Sequence, residues 1–197
     1  LHKKGTENHE WALTMMDVQA AWNRDSSGVP RIGGRGVIIA HPDTGFTDHQ
    51  EIAARIRKDD GFDFVANDPD AHDDLVSGIG DFPGHGTGTA SLIMSNISPA
   101  VSGVAPLAEL IPLRVSNSVV HLSMENVTNA IHRAIERKAH VISMSLGGPP
   151  SLALHSAVRD AVNEGIIVVA AAGNYVGIVV WPARYDEVIA VAACNIK

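Results

Sequence analysis

The chain has 197 residues and is 45% hydrophobic, enough for one sizeable core and short for two. A formal net charge of −7 argues against a non-specific nucleic-acid surface, and no apolar run approaches the roughly 18 residues of a membrane span. A lone cysteine, Cys194, excludes an internal disulfide, so the fold must rest on packing.

Residues 7–23 place Trp11, Met15, Val18 and Trp22 at helical spacing and predict one amphipathic helix. After the glycines at 33, 34 and 36, Val37–Ala40 is continuously apolar, as a parallel strand covered on both faces requires. Residues 58–83 are acidic and turn-rich and predict a solvated loop region. From His85 to Met94 the residues are small and helix-compatible, and Glu109–Val115 is the next strand. Ser123 is placed to N-cap a helix reaching about Lys138, with Val127, Ile131 and Ile135 on one face. Val141–Leu146 predicts a strand, Leu152–Glu164 a helix, Ile166–Ala171 a strand and Val188–Ala192 a last one, with Gly165 at a helix C-cap.

This β-α-β-α-β alternation predicts a mostly parallel, doubly wound sheet in a three-layer α/β/α fold. No repeat, linker or low-complexity tract divides it, so one domain over 1–197 is expected. It stops just after a strand, without closing helices, so apolar surface is expected to be left uncovered there. The first residues lack the apolar core of a signal peptide, and the start at Leu1 leaves room for a leader or pro-segment upstream. Scarce cysteine fits cytosolic and many secreted enzymes alike, so the compartment stays open.

Sites in open α/β sheets form outside the carboxyl ends of the strands. Asp43, in Asp-Thr-Gly, closes the first strand segment, and Gly45 lets the chain turn away. His85, between Gly84 and Gly86, opens a predicted helix at the same edge. An Asp–His pair is the orienting and proton-shuttling half of a serine-hydrolase triad. Ala171-Ala172-Gly173-Asn174 brings an amide to that edge, able to stabilise an oxyanion. Between them, Ser143–Gly148 ends a strand with small residues and open backbone groups, a segment suited to pairing with an extended peptide.

Those motifs, in that order, resemble the N-terminal two-thirds of a subtilisin-family (subtilase) catalytic domain. The likeness covers nearly the whole chain. It extends to the Trp-Ala-Leu start at Trp11, Gly103–Pro106, the Ser-Leu-Gly-Gly at Ser145 and the Trp181-Pro182-Ala183 segment. The resemblance implies a serine endopeptidase with Asp43 as triad aspartate, His85 as general base and Asn174 as oxyanion donor. It implies that Ser145, Leu146 and Gly147, with Ala171, Ala172 and Gly173, wall the pocket for the side chain before the scissile bond. A polypeptide substrate is implied too, with no cofactor required and no nucleic-acid or membrane partner.

Two departures stand out. After His85 the chain reads Gly-Thr-Gly-Thr-Ala-Ser, where many members have Gly-Thr-His-Val-Ala-Gly. None of the fourteen serines lies in a Gly-Thr-Ser-x-Ala or Gly-x-Ser-x-Gly motif, and Ser145 belongs to the substrate-strand motif. The nucleophile is therefore expected from a C-terminal or complementing segment, and these residues alone are expected to be inactive. The rival reading is a non-catalytic, truncated fold that holds peptides by a strand edge. His41, Asp48 and His49 crowd Asp43 without a recognised ligand spacing, so no metal is assigned there. A structural calcium near Glu51, Asn96 and the 95–102 loop has sparse oxygen ligands. Cys194, ending an apolar strand, is expected to be a small buried hydrophobe.

Overall fold

A computed structural model of the chain describes residues 11–22, 32–95, 102–174 and 177–194. Its strands are β1 (Ile38–Asp43), β2 (Phe62–Asp63), β3 (Glu109–Arg114), β4 (Val141–Met144), β5 (Ile167–Ala171) and β6 (Ile189–Val191). They form a six-stranded sheet in the order β2-β3-β1-β4-β5-β6, and every neighbouring pair is parallel. Helices α1 (Trp11–Met15) and α2 (Val18–Trp22) precede the sheet. Between its strands lie α3 (His85–Met94), α4 (Glu125–Glu136) and α5 (Leu152–Asn163).

The helices bury the stripes their spacing dictates. On α4, Val127, Ala130, Ile131 and Ala134 recur at helical period and are fully buried, and on α5 Leu154, Ala157, Val158 and Ala161 do the same. Ser151 caps α5 by accepting the Leu154 N–H at 3.3 Å. Gly165, in the left-handed region, ends it as expected.

Strand alternation then divides the interior between two faces. Ile111 and Leu113 of β3 join Ala40 of β1 in the large core beneath α4 and α5, whereas Leu110 packs with Ile52, Ala90 and Met94 on the α3 side. Helices therefore cover both faces, giving three layers. On β1 the same alternation turns Ile39, His41 and Asp43 away from the α4 and α5 side, toward α3. That parity positions the site.

Several expectations change. The helix expected over 7–23 is two short helices among its described residues, because Asp17 takes a positive φ of 54° and breaks the stripe. Trp11 and Met15 are consequently exposed, while Leu13 and Trp22 are buried and Trp22 donates to the Val104 carbonyl at 2.8 Å. β1 runs past Pro42 to Asp43, since its pairing with β3 continues to that residue. Helix α4 starts at Glu125, and Ser123 only accepts a 3.4 Å bond from the Glu125 N–H. Cys194 is exposed, because β6 is an edge strand whose Ile189 and Val191 themselves face outward.

The acidic stretch 58–83 is not merely a solvated loop. It contains β2, and its Asp63 is buried against the buried Arg114 of β3 with Nη1···Oδ2 at 2.6 Å. Asp63 Oδ1 also accepts the Val65 and Ala66 N–H groups at 2.6 and 3.0 Å. Burial favours the neutral Arg114, but the Asp63 hydrogen bond and charge, joined by those of Asp74 at 2.9 Å, outweigh it and raise the guanidinium pKa. Removing one member of such a pair strands the other charge in the interior. Arg114→Met should cost about 3–5 kcal/mol in urea unfolding. A loss below about 1 kcal/mol would mean the pair behaves as a surface bridge.

Candidate active site

Asp43 ends β1 with its carboxylate almost fully buried. Its Oδ1 accepts the Thr44 N–H at 2.7 Å and meets Nδ1 of His85, the first residue of α3, also at 2.7 Å. An ionised carboxylate only accepts, so Nδ1 carries the proton and Nε2 of the neutral ring keeps a lone pair. The His85 side chain is 27% exposed, so that nitrogen belongs to a ring in partial contact with solvent. Phe82 packs edge-on against the ring at 6.4 Å between centroids.

Electrostatics follow the geometry. Burial alone pushes the Asp43 carboxyl pKa up, but the His85 hydrogen bond and charge and the Thr44 N–H hold it below its ordinary value. The Asp43 hydrogen bond raises the His85 pKa against the opposing effect of burial, with the carboxylate charge adding to it.

A second carboxylate braces the pair. Asp73, buried inside the acidic stretch, accepts the Thr44 hydroxyl and the Gly84 N–H, both at 2.8 Å on Oδ2. The Thr44 hydroxyl in turn accepts the Gly86 N–H at 3.0 Å. The turn after Asp43 and the start of α3 are thus tied to one acceptor. The approach is close enough to demand glycine: a Cβ on Gly45 (φ 100°) would lie 2.6 Å from the Ala71 carbonyl oxygen, and one on Gly86 would lie 2.1 Å from that of Gly45. Sequence reading missed Asp73 because density of acid residues reads as solvation. The signal available was its position between two glycine-flanked site motifs.

The other expected site residues lie along the same strand-end edge. Ser145, Leu146 and Gly147 come after β4, and Ala171, Ala172 and Gly173 run out of β5. Val180 brings the two segments together, since a Cβ on Gly147 or Gly173 would lie 2.4 or 3.1 Å from its Cγ2. Asn174 is exposed just beyond Gly173, two strand spacings from Asp43, or about 10 Å laterally. Among the described residues no hydrogen bond joins it to Asp43 or His85.

The open backbone expected after β4 is already paired. Gly147 donates to the Val119 carbonyl at 3.0 Å and accepts from the His121 N–H at 2.9 Å, and Gly148 exchanges bonds with Trp181. Of the residues weighed as ligands, His41 is buried beside Asp43, whereas Asp48 pairs with Lys58 at the surface. The Glu51 carboxylate turns inward and accepts the Ser95 hydroxyl, and Asn96 lies outside the described residues.

Comparisons with known proteins bear on the family and the fold. Residues 34–197 match the model of the subtilase family. Subtilisin Savinase of Lederbergia lenta is 35% identical over 188 residues, covering 94% of this chain and 63% of its own. An intracellular serine protease of Paenibacillus polymyxa is 37% identical over 192 residues, covering 93% and 55%. Among solved structures, a protease of Pseudoalteromonas arctica superposes with a TM-score of 0.63 at 29% identity, over 72% of this chain and 51% of that one. The chain thus spans between 45% and 63% of the length of the curated relatives it matches.

Two outcomes are expected from the brace and the pair. Asp73→Ala orphans the buried Thr44 hydroxyl, which should cost about 1–3 kcal/mol in chemical denaturation, and frees the half-buried Gly84 N–H; an unchanged midpoint would remove Asp73 from the site. His85 has a raised pKa, so its contribution is complete below its ordinary 6.5 and is lost as pH rises through the raised value. Asp43 has a lowered pKa, so its contribution is complete above its ordinary 3.8 and is lost as pH falls through the lowered one. The stability deficit of His85→Gln should therefore be largest between pH 3.8 and 6.5 and shrink on either side. Urea titrations showing a deficit independent of pH would count against the charged pair.

Proposed function

The chain belongs to the subtilase family, and from that premise we propose that it forms the acid–base half of a serine endopeptidase. The observation that carries the reading is the 2.7 Å contact between His85 Nδ1 and Asp43 Oδ1 at the carboxyl end of β1. In this reading Asp43 fixes the tautomer of His85 and stabilises the imidazolium, and Nε2 takes the proton of a serine hydroxyl. The serine oxygen bonds to the scissile carbonyl carbon, and Asn174 donates to the resulting oxyanion. Collapse of that intermediate breaks the C–N bond, with His85 returning its proton to the departing amine. Water, activated by the same ring, then hydrolyses the acyl-enzyme. No cofactor is needed.

No serine of the 197 residues stands in a Gly-Thr-Ser-x-Ala motif, so the nucleophile is assigned to chain outside them. The walls at Ser145–Gly147 and Ala171–Gly173 receive the side chain before the scissile bond. Support for a single pocket comes from Val180, which touches the glycine of each wall.

A fluorophosphonate probe separates the parts of this reading. It should label a polypeptide in which this chain is joined to a Gly-Thr-Ser-x-Ala segment and leave the 197 residues unlabelled. His85→Ala in the longer polypeptide should slow labelling by about 10²-fold or more, the usual scale of positioned proton transfer. Labelling of the 197 residues at Ser145, or an indifferent His85→Ala, would sink the assignment.

A further inference from the structure

Asp43 has a second oxygen, and the chemistry described so far leaves it without a role. Near Oδ2 stand His41 Nε2 at 3.7 Å and the Thr89 hydroxyl at 3.4 Å. His41 is two residues before Asp43 on β1, and Thr89 is four residues after His85 on α3. These spacings match: two strand residues advance about 6.6 Å and four helix residues about 6 Å. The strand pair Asp43 and His41 therefore meets the helix pair His85 and Thr89 rung by rung.

Hydrogen-bond logic fixes the second rung. His41 is buried, and its Nδ1 lies 3.1 Å from the Ser143 carbonyl of β4. A carbonyl only accepts, so Nδ1 carries the proton, and in the neutral form of the ring Nε2 accepts from the Thr89 hydroxyl at 2.9 Å. The hydroxyl has one proton, and its other acceptors are the His85 carbonyl at 3.0 Å, the Gly86 carbonyl at 3.2 Å and Asp43 Oδ2. Many family members carry Val where Thr89 stands, as their Gly-Thr-His-Val-Ala-Gly pattern shows. The hydroxyl is thus a departure that lies between His41 Nε2 and the aspartate's second oxygen.

We infer that His41 and Thr89 are a positioning pair for Asp43, in which the Thr89 hydroxyl, shared between His41 Nε2 and Asp43 Oδ2, governs how strongly the carboxylate holds His85. The inference rests on the Asp43–His85 pair acting as proposed above. The titratable groups facing Asp43 are His41 on its own strand, His85 on α3 and His121 at longer range, with Asp73 behind Thr44. Among them only His41 shares a hydroxyl with the aspartate's free oxygen. A donor on Oδ2 disperses carboxylate charge and weakens the hold on the His85 proton; removing it strengthens that hold.

The test is an NMR titration of the His85 ring in the 197-residue chain. Thr89→Val should raise the His85 midpoint by about 0.5 unit, a factor of about three in proton affinity, and Thr89→Ser, which keeps the hydroxyl, should restore it. His41→Phe removes the nearest acceptor, leaving the hydroxyl to Asp43 Oδ2 and the His85 and Gly86 carbonyls, and should move the midpoint the other way. Asp43→Asn, as control, should lower it. If the control lowers the midpoint but Thr89→Val leaves it in place, or Val and Ser shift it alike, the positioning pair is overturned while the Asp–His reading stands. An upward shift in His41→Phe also overturns it, because the ring would then act as a cation and not through the hydroxyl. A control without effect overturns the Asp–His reading itself. Should His41→Phe fail to fold, the Thr89 variants decide alone.

Discussion

A carboxylate buried at the end of a central strand is the constraint on which the rest of this structure depends. Asp43 sits where β1 leaves the sheet, with almost no contact with water. An unpaired charge there costs far more than a domain can absorb, so donors must reach it from every side. The turn supplies the Thr44 N–H, and α3 supplies His85 and Thr89, with His41 of the strand holding the Thr89 hydroxyl beside it. Bringing α3 that close forces the glycines at 45 and 86, whose missing side chains leave room for the backbone. Asp73 completes the arrangement one shell outward, holding Thr44 and the start of α3 together. Sheet, turn and helix are therefore fixed by the same polar network, and the geometry of Asp43 and His85 results from their packing.

How much of this was legible in the sequence depends on the range of the cause. Asp43 and His85 could be read because each sits in a short motif whose glycines serve a local purpose, and the apolar stripes of α4 and α5 could be read because periodicity is local too. Where a distant segment decides, the reading failed. The break at Asp17 depends on a backbone angle that no hydrophobic pattern encodes, and it turned Trp11 outward. Asp63 and Asp73 look like any other acids of the 58–83 stretch. Only Arg114 and the Thr44 turn, from remote parts of the chain, distinguish them. Cys194 lies at the end of an apolar strand, but a strand at the sheet edge does not bury the residues after it.

The same distinction bears on recognition. The segment after β4 has the small residues that suit pairing with an extended peptide, and nothing in its composition signals an internal partner. Yet both backbone groups of Gly147 are bonded to Val119 and His121, and Ala172 accepts from Val180 while donating to Val191. Backbone groups left unpaired away from water are costly, so the fold has closed these edges on itself. Any extended peptide pairing at Gly147 must exchange bonds one for one with Val119 and His121, and the main chain then contributes little net free energy. Affinity would have to come from burying side chains against the glycine-lined walls beside Val180, where removal of apolar surface from water adds without a compensating loss. A site built this way discriminates by the side chain it admits more than by the backbone it holds.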